Sequence, residues 1–204
     1  MLRRLAAALL LLALAAWTQA ATLARVPGES VERFARRNAP PAATLAHRVI
    51  EARLGRGPAK AIVAFYEEEY ARDGQAYRRV LGTFFVPEGR DRYRRVLIDV
   101  YEPEGGDPHV EAVFFAEAGS GKRRKLVVIC SWPQVHHDFR GTLYATYVYE
   151  LPGPGAAPAR LTLDEALGRQ LRGGCECEWR DGRKTTAKYK TAADVRPALR
   201  RIAR

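Results

Sequence analysis

An alternation of apolar and polar residues between Tyr77 and Leu151 constrains the fold of this chain more than any other feature. Five segments with a period of two follow one another, each bounded by glycine, proline or charged residues. They cover 78–86, 93–101, 110–116, 125–132 and 141–151. Strand side chains alternate between two faces, and short connections favour pairing between neighbours. The pattern therefore predicts an antiparallel meander of about five strands.

The two faces of the predicted meander differ in composition. One face is uniformly apolar and is the predicted core face, with Val80, Phe84, Val96, Ile98, Val100, Ala112, Phe114, Leu126, Val128, Cys130, Leu143, Tyr147 and Tyr149. The other mixes charged residues with Leu81, Phe85, Leu97, Val113, Phe115, Val127 and Ile129. We expect helices of the same chain to cover part of this mixed face. A curled sheet and a binding surface are the alternatives.

Helical patterns flank the alternating region. Val31 and Phe34 predict a short N-terminal helix. The stripe Leu163, Leu167 and Leu171 follows a predicted capping box made by Thr162 and Glu165. A final helix is predicted with Asp194 as its N-cap, Pro197 in its first turn, and Val195, Leu199 and Ile202 buried.

A hairpin is predicted around Asp181-Gly182, whereas residues 42–70 fit either helix or strand. The fold class predicted from these patterns is α+β. It combines the meander and a C-terminal hairpin with N-terminal and C-terminal helices packed on the sheet.

The first 20 residues have the organisation of a cleavable secretory signal peptide. Arg3 and Arg4 precede an apolar stretch at 5–16, and Thr18-Gln19-Ala20 places small residues before a cut after Ala20. The apolar run is too short to cross a bilayer, which takes about 20 residues. We expect a Sec-type leader at 1–20, a single domain at 21–204 with no transmembrane span after cleavage, and a periplasmic or secreted location in a bacterium.

The charge of the chain indicates the chemistry of its partners. The formal net charge is +11, and loss of Arg3 and Arg4 with the leader subtracts two charges and leaves +9. Such a balance favours an anionic envelope component or an envelope protein as partner. The excess of arginine over lysine and the abundance of alanine are also typical of a GC-rich bacterial genome, which is the alternative explanation of the charge. An exported location argues against nucleic acid.

Three cysteines follow the leader, so an odd thiol remains after any single bridge forms. A bridge from Cys130 to Cys175 or Cys177 would tie the C-terminal segment to the sheet, and a buried Cys130 that packs as a small apolar residue is the alternative. A bridge between Cys175 and Cys177 spans one residue and is expected to be strained. A redox or metal element at Cys-Glu-Cys is the functional alternative, although redox pairs normally have two intervening residues.

Two ends of the predicted meander gather polar residues. One end brings together the candidate ligand or metal cluster Asp107, His109, His136, His137 and Asp138. Imidazoles and carboxylates at that spacing suit a transition metal or acid–base chemistry. The other end forms a candidate patch for an anionic partner: Arg90, Arg92, Lys122, Arg123 and Arg124. For both groups the alternative, which the residue types favour, is a solvated polar turn without a ligand.

No motif in the chain specifies a reaction. The sequence therefore favours an exported, non-enzymatic protein that binds an envelope partner or ligand, with no predicted cofactor, no confident metal site and no assigned catalytic residue. The alternative is a metal-dependent or acid–base enzyme that uses the histidine and aspartate cluster.

Overall fold

Two stacked antiparallel sheets contain the strands of this chain. The computed structural model describes residues 22–54, 59–119, 121, 123–153, 156 and 158–202. The leader predicted at 1–20 lies outside these residues. Within them the protein is rich in antiparallel strand and contains a few helices.

The first sheet is formed by the N-terminal half of the described chain. Its strands are β1 (Leu23–Ala24), β2 (Thr44–Leu45), β3 (Ile50–Arg53), β4 (Lys60–Arg72), β5 (Gln75–Gly89) and β6 (Arg92–Tyr101). Their order across the sheet is β1-β6-β5-β4-β2, and β3 also pairs with β4. The described residues of 42–70, which leave out 55–58, therefore contribute strands, as the strand alternative predicted, and not a helix.

The second sheet follows in the chain. Its strands are β7 (His109–Ala118), β8 (Arg123–Val135), β9 (Phe139–Glu150), β10 (Gly174–Trp179) and β11 (Lys184–Thr185). Their order is β11-β10-β9-β8-β7, so β10 and β11 form the hairpin predicted around Asp181-Gly182.

The predicted single meander is wrong at its second connection, because β6 and β7 belong to different sheets. The connection at 102–108 crosses between the sheets and packs against the end of β8. Trp132 Nε1 donates to the carbonyl of Glu102 at 2.9 Å, and Gln134 Nε2 donates to the carbonyl of Glu104 at 2.5 Å. A Cβ on Gly106 would lie 2.2 Å from the carbonyl oxygen of Pro133, so this close approach requires glycine.

The main core lies between the two sheets and draws buried side chains from both. Its members are Ala61, Val63, Phe65, Val80, Phe84, Val96, Ile98, Tyr101, Val113, Leu126, Val128, Cys130, Trp132, Tyr149 and Leu161. Most of the predicted core face is included, since strand alternation does specify which residues share a side. Apolar burial of this extent is the main source of stability in such a stack.

A β-bulge reverses the predicted faces of β7. The register shifts between Val110 and Ala112, after which Val113 pairs with Val128 and Phe114 pairs with Val127. The extra residue in the bulge, Glu111, moves Ala112 and Phe114 away from the inter-sheet core, to which they were assigned. Both lie instead in the cluster on the outer face of the second sheet.

Helices cover the outer face of each sheet. Helix α1 (Val31–Arg37) packs Phe34 on Phe85 of the first sheet, with ring centroids 5.1 Å apart. Helices α2 (Glu165–Gln170) and α3 (Ala192–Ile202) share a buried cluster with Val127 and Ile129 of the second sheet. The expected helical cover of the mixed face is therefore confirmed at these positions.

The predicted starts of the two C-terminal helices are each displaced. Asp164, not Thr162, caps α2, because its side chain accepts from the Leu167 amide at 3.0 Å. At α3 the capping pair is Thr191 and Asp194, since the Asp194 carboxylate accepts from the Thr191 amide at 2.9 Å. Pro197 consequently lies inside the helix and not in its first turn. No helix in the described ranges combines the length and apolar character of a membrane span.

Candidate functional site

The predicted histidine and aspartate cluster is divided along strand β8. His109 pairs with Ser131, whereas His136 follows the end of β8 at Val135. At about 3.3 Å per residue, this offset separates the two histidine backbones by roughly 16 Å along the strand. The sequence prediction placed them closer because it ignored the length by which β8 extends beyond β7.

His137 and Asp138, two further members of that cluster, lie at the tip of the β8–β9 hairpin. His137 Nδ1 lies 2.8 Å from Asp138 Oδ1, and its Nε2 lies 2.9 Å from Arg180 Nη1. Both His137 and Asp138 are exposed, as is Asp107 in the crossing loop. Among the described residues, no three histidine, cysteine or acidic side chains converge on a point where they could hold a metal ion.

A stack of four side chains, which the sequence did not predict, lies at this end. His136 and Phe139 have ring centroids 4.4 Å apart, and Phe139 and Trp179 are 4.6 Å apart. The Arg183 guanidinium continues the stack at 4.9 Å from the Trp179 ring. These residues come from two hairpins that are distant in sequence and are joined by the β9–β10 ladder, so the sequence alone does not bring them together.

The predicted basic patch lies at the opposite end of the two sheets, which we call the basic end. It comprises the β5–β6 turn, the β7–β8 turn and the adjoining ends of β3 and β4. Arg124 Nη1 donates to the carbonyl of Arg53, so the β7–β8 turn lies beside the end of β3. Arg53 pairs with Lys60 across the β3–β4 ladder. The structure thus brings the two predicted basic turns to one end of the molecule.

The arginines of the basic end differ in how freely their charges reach solvent. The Arg90 side chain is 98% exposed, and its nearest carboxylate, on Asp91, is 4.0 Å away. Arg92 is exposed at the start of β6. Arg123 is 72% exposed and pairs with Glu150 at 3.1 Å. Arg124 lies over the Phe115 ring at 4.8 Å. Lys122, the fifth predicted member, lies outside the described residues.

A groove of about 820 Å³ opens beside this patch. It is lined by Arg25, Glu51, Ala59, Lys60, Gly89, Arg90, Asp91 and Tyr93. Three cationic side chains and two carboxylates therefore meet here. Sequence reasoning missed Arg25, Lys60 and Tyr93, because they come from β4, β6 and the segment after β1, and no local motif connects them.

Glu51 determines how much positive charge the groove presents. Its two oxygens accept from Arg25 at 3.2 Å and from Lys60 at 3.3 Å, so one carboxylate is shared by two cations. Hydrogen bonds to Tyr93 and Glu51 raise the pKa of Arg25 despite the opposing effect of its partial burial. The groove keeps a surplus of positive charge, and Arg90 is its most exposed cation.

The cysteines pair differently from the prediction. The structure joins Cys175 to Cys177, both on β10, and leaves the Cys130 thiol free. Cys130 is fully buried in the core between the sheets, where it packs as a small apolar residue. Burial raises the pKa of this thiol well above its usual range. The predicted bridge from Cys130 to the C-terminal segment is therefore wrong.

No known family model, curated protein or solved structure matches this chain.

Proposed function

We propose that this chain is an exported, periplasmic or secreted protein that acts by binding and not by catalysis. Its binding surface is the basic end, and its partner is an anionic, phosphate-bearing surface of the cell envelope. The proposal takes residues 1–20 as a secretory leader and residues 21–204 as one α+β domain.

The shared location of the basic turns carries this proposal. Arg90 and Arg92 belong to the first sheet, and Arg123 and Arg124 belong to the second. The contact of Arg124 with the carbonyl of Arg53 holds the two groups at one end of the stacked sheets. The four arginines therefore present positive charge from both sheets on one surface, where a single anionic partner can contact them together.

The charge balance of the two ends supports the same surface. Within the described residues, Arg90 has only the Asp91 carboxylate within 4.0 Å, and Arg92 forms no ion pair. At the opposite end, Arg140 and Lys184 both pair with Glu178, and Arg183 pairs with Asp181. Each basic residue close to an anionic membrane surface contributes on the order of 1 kcal/mol of attraction. An anionic surface is therefore drawn to the basic end first.

The alternative, a metal-dependent or acid–base enzyme at the histidine end, has less support. His137 and Asp138 are 82% and 74% exposed, so nothing excludes water from that pair. Acid–base and metal catalysis depend on groups held in a shaped and partly desolvated site.

Vesicle binding by the mature chain tests the proposal. The protein should cosediment with vesicles containing phosphatidylglycerol and not with pure phosphatidylcholine vesicles. Binding should weaken steeply between about 50 mM and 500 mM salt, because exposed charges are screened over a few ångströms at high ionic strength. Equal binding to both vesicle types would contradict the proposal. Binding that an acidic polypeptide supports and anionic vesicles do not would assign the surface to an envelope protein.

A further inference from the structure

The disulfide between Cys175 and Cys177 connects two positions of the same strand. One residue separates them, so their side chains leave β10 on the same face. The β9–β10 ladder already fixes both positions, with Cys175 paired to Leu143 and Cys177 paired to Gly141. The bridge therefore holds together residues that backbone pairing has already aligned.

A bridge of this kind has little value as a structural cross-link. In the chain-entropy account, a disulfide stabilises a fold by closing a loop in the unfolded chain, and its effect grows with the length of that loop. The loop between Cys175 and Cys177 contains a single residue, Glu176. The bridge therefore removes very little conformational entropy from the unfolded chain and stabilises the fold very little. Cross-linking alone does not account for the presence of the pair.

The surroundings of the two sulfur atoms are unequal. Cys177 is only 3% exposed, whereas Cys175 is half-buried. Gly141 leaves room for Cys177. A Cβ at position 141 would lie 2.9 Å from Cys177 Sγ and 2.1 Å from the carbonyl oxygen of Glu176. The strand pairing therefore encloses one sulfur and leaves the other nearer to solvent.

We propose that Cys175 and Cys177 form a thiol–disulfide exchange site that accepts electrons from a dithiol on another exported protein. The proposal goes beyond the binding function and involves the opposite end of the molecule. Cys130 takes no part, since it is enclosed in the core between the sheets.

The exchange has two steps. A thiolate of the partner attacks Cys175 Sγ, the bond to Cys177 breaks, and Cys177 leaves as a thiolate that takes a proton from water. The second thiolate of the partner then attacks its own sulfur in the mixed disulfide and releases Cys175 as a thiolate, which is also protonated. The partner loses two electrons and two protons and gains a disulfide, while Cys175 and Cys177 become thiols.

Mixed-disulfide trapping on the full mature chain tests the proposal. The probe is oxidised glutathione, and the readout is the intact mass of the folded protein. Of the pair, the variant Cys177→Ser keeps the more exposed Cys175, and Cys175→Ser keeps the buried Cys177; both variants also keep the buried Cys130. We expect Cys177→Ser to form the glutathione adduct about tenfold faster or more, in line with the dependence of exchange on access to the sulfur. Cys130→Ala serves as the matched control that keeps the pair.

A second measurement uses the unsubstituted pair and does not depend on the folding of either serine variant. The Cys130→Ala chain is incubated with a reduced dithiol peptide, and free thiols are counted by alkylation. We expect the peptide to become oxidised while the chain gains two thiols and stays folded. Equal adduct rates in the two serine variants, or a pair that stays oxidised in excess peptide until the chain unfolds, would overturn the proposal. Vesicle binding would be unaffected by either result.

Discussion

The hydroxyl groups of Tyr101 and Tyr149 lie 3.0 Å apart inside the core and connect the two sheets. Tyr101 ends β6 of the first sheet, and Tyr149 lies near the end of β9 of the second. The Tyr149 hydroxyl donates to Asp99 Oδ2 at 2.8 Å, so it is the acceptor for the Tyr101 hydroxyl. Burial raises the pKa of both tyrosines, and the pair therefore stays neutral across the physiological range.

Loss of the Tyr149 hydroxyl should weaken the attachment of the two sheets. Tyr149→Phe leaves the buried Tyr101 hydroxyl without this acceptor, and we expect a loss of about 1–3 kcal/mol in the free energy of unfolding. Urea denaturation measures the loss. Tyr147→Phe is the matched control, because no hydrogen bond of the Tyr147 hydroxyl occurs within the described residues. Equal stability of the two variants would show that the link does not stabilise the stack.

The position of Phe114 on the outer face of β7 predicts how its removal affects stability. Phe114→Ala removes a ring that is only 7% exposed beneath α3, and we expect it to cost about 3–5 kcal/mol. A double-mutant cycle in urea assigns the face. Phe114→Ala should couple to Leu199→Ala by more than about 0.5 kcal/mol and be additive with Phe84→Ala. The opposite result would return Phe114 to the core between the sheets.

Glu29 should make the stability depend on pH in the acid range. Its carboxylate accepts from Arg37 Nε at 2.9 Å and from the Val26 amide at 3.0 Å. Chiefly through the Arg37 hydrogen bond, its pKa falls from 4.5 to about 2. Because the pKa is lowered on folding, the stabilisation is complete above about pH 4.5 and is lost as the pH falls towards 2.

The variant Glu29→Gln tests this dependence by urea denaturation at several pH values. We expect it to be about 2 kcal/mol less stable than the unsubstituted chain at pH 7, the scale of hydrogen bonds to a charged group. The difference should shrink between pH 4.5 and pH 2. A difference that stays constant over this range would contradict the assignment.

The alternation in the sequence predicted the strands better than it predicted their neighbours. Period-two patterning specifies which side of a strand is apolar, and it placed Leu126, Val128 and Cys130 correctly in the main core. It carries no information on which strand lies alongside, so the crossing at 102–108 could not be inferred. The bulge at Glu111 also escaped prediction, because one extra residue reverses a face without any local sequence signal.

In the candidate sites, too, local features were predicted from the sequence, and contacts between distant segments were not. Arg90 and Arg123 were predicted from their own turns, and alternate turns of adjacent strands lie at one end in either topology. The groove that adds Arg25 and Lys60 to them depends on pairing between distant segments, which one sequence does not reveal. The sequence prediction placed the histidines of the candidate cluster too close together. It assumed that β7 begins level with the end of β8, whereas His109 pairs with Ser131.

Charge reversal at each end of the molecule tests the proposed binding surface most directly. One variant carries Arg90→Glu and Arg92→Glu at the basic end, and its control carries Arg140→Glu and Arg180→Glu at the other end, with the same change in net charge. Affinity for anionic vesicles is measured at a fixed salt concentration near 100 mM. The first variant should lose about tenfold or more, at roughly 1 kcal/mol per basic residue, and the control should bind nearly as the unsubstituted chain does. Equal losses in the two variants would mean that net charge alone governs binding, which would contradict a dedicated basic end.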